Sequence, residues 1–494
     1  MSDAVITVIP PRHLFRTIVP PIVLPVFLAA ADGTVVATAL PAIAASFGEV
    51  ERLSWLIIAN LIASTIAAPA YGRLGDLFGR RLMMTTALAI FMTASLACAF
   101  APSFETLLTA RVFQGLGGGG LMTLAQALIG EFVPVKERGN YQGYLSANIV
   151  AGAAFGPVAA GFLTGHFGWH SIFLAYVPLG LLAIGLVLRV PKGERTGTAR
   201  GGFDIGGLIL LTTFVVPLLL AVSRFQHPDP GMWARAGLWF AAAAAGLAVL
   251  LWQQRRVTAP IMALELLKLP AFWRADVMAA CSGAALTAMI TFLPLYLQAV
   301  MGATAEETGL LLIPLTVSVS SGSVLTGWLI SRSGRTAVFP MWGLTITAVT
   351  MLYLAYAASG LTRMELSWVL ALGGLCQGSA MLTAQVTVQK VAGIGQLGAA
   401  AASAQLARSM GSAFGAALAG AVLFGLLSVW DPATAALFIE MVRKGAGILL
   451  RLSGDQQDVA RAAIARAFSG VFILVALISC VSVAMSATLP VRRL

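Results

Sequence analysis

Charge is what this chain has least of. Only 10% of its 494 residues are Asp, Glu, Lys or Arg, against roughly 25% in a soluble globular protein. Apolar residues make up 59%, and the mean hydropathy is +0.89. This excludes a soluble domain and implies an all-α polytopic membrane protein, because only closed hydrogen-bonding structures cross a bilayer. Cysteine is scarce too. Cys98, Cys281, Cys376 and Cys480 each lie in an apolar segment, without metal or redox spacing, and read as free thiols. The four histidines, His13, His166, His170 and His227, have no zinc spacing. No metal site is expected, and a polytopic enzyme has no constellation to work with.

Two further absences narrow the class. The run Gly115 to Gly120 lacks the Lys-Ser/Thr of a phosphate loop, so an ATP-driven pump is not supported. No soluble sensory segment supports a receptor or scaffold. The net charge of +11 is spread over short loops. It suits an anionic leaflet rather than nucleic acid. The N-terminal apolar stretch is too long for a signal peptide and contains Asp32, so it reads as the first span.

What is present is a series of about 14 apolar spans. Their limits are 15–44, 52–71, 82–101, 105–130, 140–165, 169–190, 205–223, 233–253, 273–299, 307–331, 337–358, 366–389, 397–428 and 466–488. Basic residues concentrate in alternate loops, among them Arg80, Arg81, Lys136, Arg138, Lys192, Arg195, Arg200, Arg335, Arg492 and Arg493. That bias puts both termini in the cytoplasm. The stretch 430–465 reads as an external connector, with a helical amphipathic pattern over 456–466 as the alternative.

Asp32 stands near the middle of the first span. A carboxylate there costs at least about 2.5 kcal/mol, and such groups face a wet path or a partner. Arg111 and Gln114 lie one turn apart on the fourth span and share a face. Arg408, with Gln405 one turn away, is a second cation within a span, either fixed in place or snorkelling to the surface. The second half reads as having no carboxylate inside a span, Glu365 sitting at an edge. Any proton coupling would therefore rest mainly on Asp32, with Glu131 as a weaker second candidate.

The segments 72–81 (GRLGDLFGRR) and 327–335 (GWLISRSGR) form a weak internal repeat. Each begins with Gly and places Gly-Arg seven residues on. Repeats in two halves mark many secondary transporters. Two six-span halves leave spans seven and eight as an insertion, giving divisions at 1–200, 201–260 and 261–494.

The segment 72–81 resembles the signature loop of the major facilitator superfamily. Three further stretches resemble its 14-span drug:proton antiporter branch, in order: 32–41 (DGTVVATALP), 111–119 (RVFQGLGGG) and 152–161 (GAAFGPVAAG). In the second half, 292–298 (FLPLYLQ) and 408–411 (RSMG) are similar to that branch. The resemblance implies two six-helix bundles plus two inserted helices, and no cofactor beyond a proton gradient. It implies a monomer in a cytoplasmic or inner membrane that exports small molecules against protons. Asp32, Arg111, Glu131 and Arg408 are then the proton-coupling set. Gly72, Gly75, Asp76, Gly79, Arg80 and Arg81 form a conformational gate. Gly152, Gly156, Pro157 and Gly161 form the antiporter motif, with Gly165 completing a second small-residue pair.

Expected cavity residues are Trp55, Asn60, Gln114, Gln126, Asn148, Tyr296, Gln298, Gln377 and Gln405. The expected cargo is lipophilic and neutral or cationic; a dedicated exporter of one metabolite, lipid or siderophore is the rival. Three positions depart from the branch: Asn60 where Tyr is usual, Ala175 where Asn is frequent, and Ser331 where an acid is usual. The last implies a weaker gate in the second half.

Overall fold

The computed structural model describes residues 11–48, 52–191, 202–224, 232–258, 260–262, 264–444 and 454–490. Lys192, Arg195, Arg200, Arg492 and Arg493 of the basic set, and His227, lie outside them. The first half is built from α1 (Pro11–Phe47), α2 (Ser54–Phe78), α3 (Arg80–Ala99), α4 (Phe104–Phe132), α5 (Arg138–Phe167) and α6 (His170–Val187). Next come α7 (Ile205–Arg224), α8 (Met232–Gln254) and a single turn, α9 (Leu264–Leu267). The second half holds α10 (Pro270–Ala299), α11 (Ala305–Ser333), α12 (Val338–Ala357), α13 (Arg363–Ala392), α14 (Leu397–Trp430), α15 (Pro432–Lys444) and α16 (Gly454–Ala487). Fourteen of these helices are long and apolar enough to cross a membrane.

Each half has its own apolar core. One runs from Ile18 to Val190 across α1–α6. The other runs from Ala285 to Ala476 across α10–α16. Helices α7 and α8 pack on each other, and Leu211, Val215 and Leu219 rest on Ile62 and Ile66 of α2 and on Leu406 of α14.

The stretch after Trp430 is not a plain connector. Helix α15 fills its first part, and the amphipathic run 456–466 is the opening of α16. That helix has 34 residues. At 1.5 Å per residue it is about 51 Å long, well beyond a hydrocarbon core of roughly 30 Å. Its polar first turns therefore extend past the apolar layer.

Glycine lets the halves meet along two seams. At Gly72 an added Cβ would strike Gly398 O and Ala402 of α14, joining α2 to α14. At Gly327 it would strike Gly139 O, joining α11 to α5. Both seams lie at the end of the bundle where α2 turns into α3. On α5 the close approach extends to Gly143, against Val324, whereas an added Cβ at Gly161 or Gly165 further along would meet nothing within 4 Å. The structure is thus closed at one end. Gly327→Leu is expected to wedge the α5–α11 seam and stop turnover while the protein still purifies as a folded monodisperse species. Cysteine cross-linking between α5 and α11 at the closed end would drop in parallel; wild-type turnover would remove the seam from the cycle.

Candidate functional site

The closed end is fastened by charge as well as by shape. The segment 72–81 is almost wholly helical: α2 continues to Phe78, and only Gly79, with φ 93°, breaks it before α3. This corrects the reading of that segment as a loop. A positive φ is open to glycine at little cost, so the reversal takes one residue.

The extra helical turns hold Asp76 and Arg80 i,i+4, where Arg80 Nη2 donates to Asp76 Oδ1 at 2.6 Å. Arg80 Nη1 pairs with Glu131 Oε2 of α4 at 2.8 Å. Asp76 also accepts from Gly398 N at 3.1 Å and Ala399 N at 3.2 Å. These are orphan first-turn donors of α14, whose own preceding residue, Gln396, offers no side-chain cap. A carboxylate at a helix N-terminus is stabilised by both hydrogen bonds and dipole. The N-terminus of a second-half helix is therefore capped by a first-half acid. Arg81 Nη2 donates to Leu188 O at 2.5 Å, tying the turn to the end of α6. Glu131 belongs to this cluster and is not beside Asp32.

Among the described residues no hydrogen-bonded acid fastens the matching position of the second half. Ser331 stands at the matching position, with its hydroxyl unpartnered and close to Gly139. Arg138 turns instead to Gly130 O at 2.6 Å and Val133 O at 3.1 Å.

Asp32 is deep within the first half, 3% exposed. Arg111 Nη1 donates to both of its oxygens at 2.8 Å, and Asn60 Nδ2 donates to Oδ2 at 3.2 Å. Arg111 is fully buried. It also donates to Gln114 Oε1 at 2.6 Å and to Leu56 O at 3.3 Å. Gln114 in turn donates to Ser95 at 2.9 Å and accepts from Cys98 Sγ at 3.6 Å. Four helices thus contribute to one polar knot. Gly152 and Gly156 of α5, followed by the helix-bending Pro157, bring α5 against the α1 backbone at Ala31, beside Asp32. Gly161 does not extend that contact.

A separate cavity of about 70 Å³ lies between the halves just beyond the α5–α11 seam. Its polar lining is Gln126, Gln142, Gln377, Gln385 and Arg408, with Ser146, Ser282 and Ser323. Leu145, Ile149, Leu286, Val319 and Met381 make it largely apolar. No carboxylate lines it among the described residues. From Arg111 to Gln126 is 15 residues along α4, about 22 Å at 1.5 Å per residue. The acid and the cavity are therefore linked through a helix rather than by contact.

Of the expected cavity residues, Gln126 and Gln377 line it. Arg408, expected in proton coupling, lines it as well, while Gln405 supports Arg408 from behind at 3.4 Å. Asn60 and Gln114 belong to the Asp32 knot. Asn148 ties α5 to Val23 O of α1 at 2.7 Å. Tyr296 is core, packed on Phe468 and Phe472. Trp55 lies at the start of α2, 39% exposed, and Gln298 is outside the cavity lining. Gln142 and Gln385 were not expected, although amides facing each other from spans 5 and 12 are the signal that a cavity search could have used.

The second half does hold a carboxylate within a span, contrary to expectation. Asp276 of α10 is buried, and its Oδ2 accepts from Ser403 of α14 at 2.6 Å. Its Oδ1 has no partner. Two residues from Arg274, it reads as a flanking charge; the structure instead turns it inward against α14.

Fourteen membrane-length helices around a cavity between two halves fit a membrane transporter, and the family and relatives mark the chain as one rather than an enzyme. The chain belongs to the Major Facilitator Superfamily, whose sequence profile matches residues 22–416. It is 30% identical over 404 residues to the multidrug transporter protein MdtP of Bacillus subtilis, covering 81% of this chain and 74% of that one. It is 29% identical over 477 residues to the efflux pump dotC of Dothistroma septosporum, covering 91% and 79%. The chain spans 58–59% of the length of some other relatives it matches. In fold it is similar to the proton:xylose symporter XylE, with a TM-score of 0.65 at 14% identity over 97% and 96% of the two chains.

Proposed function

We propose that this protein is a proton-driven efflux transporter of the 14-span drug:proton antiporter branch. It exports lipophilic drugs and toxic compounds across the cytoplasmic membrane by alternating access. The halves 1–200 and 261–494 rock about the cavity, with 201–260 as the inserted pair and both termini cytoplasmic. It works as a monomer, with no cofactor but the proton gradient.

The observation that carries this reading is the Asp32–Arg111 pair. A proton and Arg111 compete for one carboxylate. Protonation neutralises Asp32 and leaves the buried Arg111 guanidinium with neutral acceptors only, among them Gln114 and Leu56 O. An uncompensated buried charge is costly, so the surrounding helices α1, α2 and α4 rearrange. Helix α4 carries that change toward Gln126 at the cavity and Glu131 at the clasp. Resemblance to relatives named as multidrug and efflux proteins supports the outward direction. Of the two expected cargo classes, the cavity suits neutral compounds, because it offers a cation no counter-charge.

The test is purified protein in liposomes with an imposed pH gradient and a panel of lipophilic substrates. Substrate movement against its gradient, with matching proton movement, is expected. Movement that persists unchanged when the pH gradient is collapsed would falsify proton coupling.

A further inference from the structure

Among the described residues the cavity between the halves is lined by one formal charge, and it is positive. We infer that the molecules carried are amphiphilic monoanions bearing a hydrogen-bond donor, such as carboxylates or sulfonates with a nearby O–H or N–H. This rests on the efflux reading of the same cavity and places anions ahead of the neutral compounds which that reading admits.

Arg408 presents the charge. Its Nε is held by Gln405 at 3.4 Å, and its two terminal nitrogens have no protein acceptor among the described residues. It makes no ion pair there either. The nearest helix, α10, approaches so closely that an added Cβ at Gly283 would strike Arg408 O. The helix backbone is therefore held tightly at this point, and Arg408 is the charged residue of the cavity lining. A planar fork of donors matches a carboxylate or sulfonate in two-point geometry.

The second observation is independent of Arg408. Gln142, Gln377 and Gln385 are 2%, 6% and 2% exposed, and each keeps a buried amide atom without a partner. Unsatisfied buried polar groups are rare in folded proteins. Those on Gln377 and Gln385 are carbonyl oxygens, and the one on Gln142 is a donor. All three residues line the cavity, so a ligand with a donor at one point and acceptors at another could satisfy these amides once it enters. Apolar Leu145, Ile149 and Leu286 cover the rest of the ligand. A cation would meet Arg408 with no compensating acid, and like charge in a desolvated site strongly disfavours binding.

Charge movement separates the classes. With one proton inward per cycle, exporting a monoanion moves two elementary charges, a neutral compound one, and a monocation none. The matched probes are 8-anilinonaphthalene-1-sulfonate and N-phenyl-1-naphthylamine, which share rings and N–H and differ by the sulfonate. Ethidium is the monocation. Wild-type protein in liposomes with a pH gradient is expected to prefer the sulfonate over the amine by about tenfold or more, the usual weight of a charge-assisted hydrogen bond. An inside-negative potential on the cytoplasmic face should speed the sulfonate more than the amine. Arg408→Gln should abolish the preference, and Arg408→Lys should restore only part of it.

Proton-driven transport of ethidium or the amine in preference to the sulfonate overturns the anion inference and leaves the efflux reading standing. Selective sulfonate binding, with transport that ignores the pH gradient, sinks proton coupling and leaves the anion site standing. If Arg408→Gln does not fold, the wild-type probe comparison still decides.

Discussion

Asp32→Asn is expected to abolish transport driven by a pH gradient, reducing it to the level of empty liposomes, while the protein stays folded. The neutral isostere keeps the shape of the site. Its oxygen still accepts from Arg111, which also retains Gln114 at 2.6 Å and Leu56 O at 3.3 Å. What it loses is the ability to exchange a proton for Arg111. Truncation is a different matter. Asp32→Ala removes the acceptor oxygen as well as the counter-charge, and breaking a buried pair in this way typically costs about 3–5 kcal/mol, so that variant should be visibly destabilised. Counterflow, the exchange of labelled for unlabelled substrate without a gradient, separates the two explanations for lost transport. Asp32→Asn should retain counterflow, because the cavity is remote from Asp32. Normal pH-driven transport by Asp32→Asn would remove this carboxylate from the coupling step.

The parts of this arrangement that were legible in the sequence are those that depend on local chemistry. A carboxylate in a long apolar run, and an Arg-Gln pair at i,i+3, announce themselves by the cost of placing them there. Asp32 and Arg111 meet at 2.8 Å although they are 79 residues apart. What could not be read was which helix faces which. Glu131 and Asp32 are both acids on first-half spans, yet packing sends one to the clasp and the other to Arg111. Tyr296 and Gln377 are both plausible cavity residues by type, yet Tyr296 stacks into the core and Gln377 lines the cavity. Asp276 was obscured by its neighbour Arg274, since a charge near a span edge looks like a flank. The choice between wall and core depends on helix rotation, and helices this uniformly apolar have little amphipathic pattern to fix it.

Asp76→Ala is expected to lower turnover by roughly tenfold or more with little change in substrate binding. Asp76 makes three contacts that exist together only when the two halves are closed at its end: Arg80, Gly398 N and Ala399 N. Two of them cross between the halves. Hydrogen bonds to a charged group are each worth about 1.5–3 kcal/mol, and 1.4 kcal/mol is a tenfold change in an equilibrium. Losing the cap therefore shifts the population away from the closed end rather than altering the cavity, which Asp76 does not line. Arg80 keeps Glu131 at 2.8 Å, so the local fold survives. The asymmetry between the halves sharpens the test. With Ser331 in place of an acid, the α5–α11 seam has no charged clasp among the described residues to compensate. Placing one there, by Ser331→Asp, should hold the closed end more firmly and slow turnover from the opposite direction. Distance measurements between spin labels on α2 and α14 should show Asp76→Ala more open, and labels on α5 and α11 should show Ser331→Asp more closed. Unchanged distances, with binding weakened in Asp76→Ala, would place Asp76 in substrate recognition instead of the cycle.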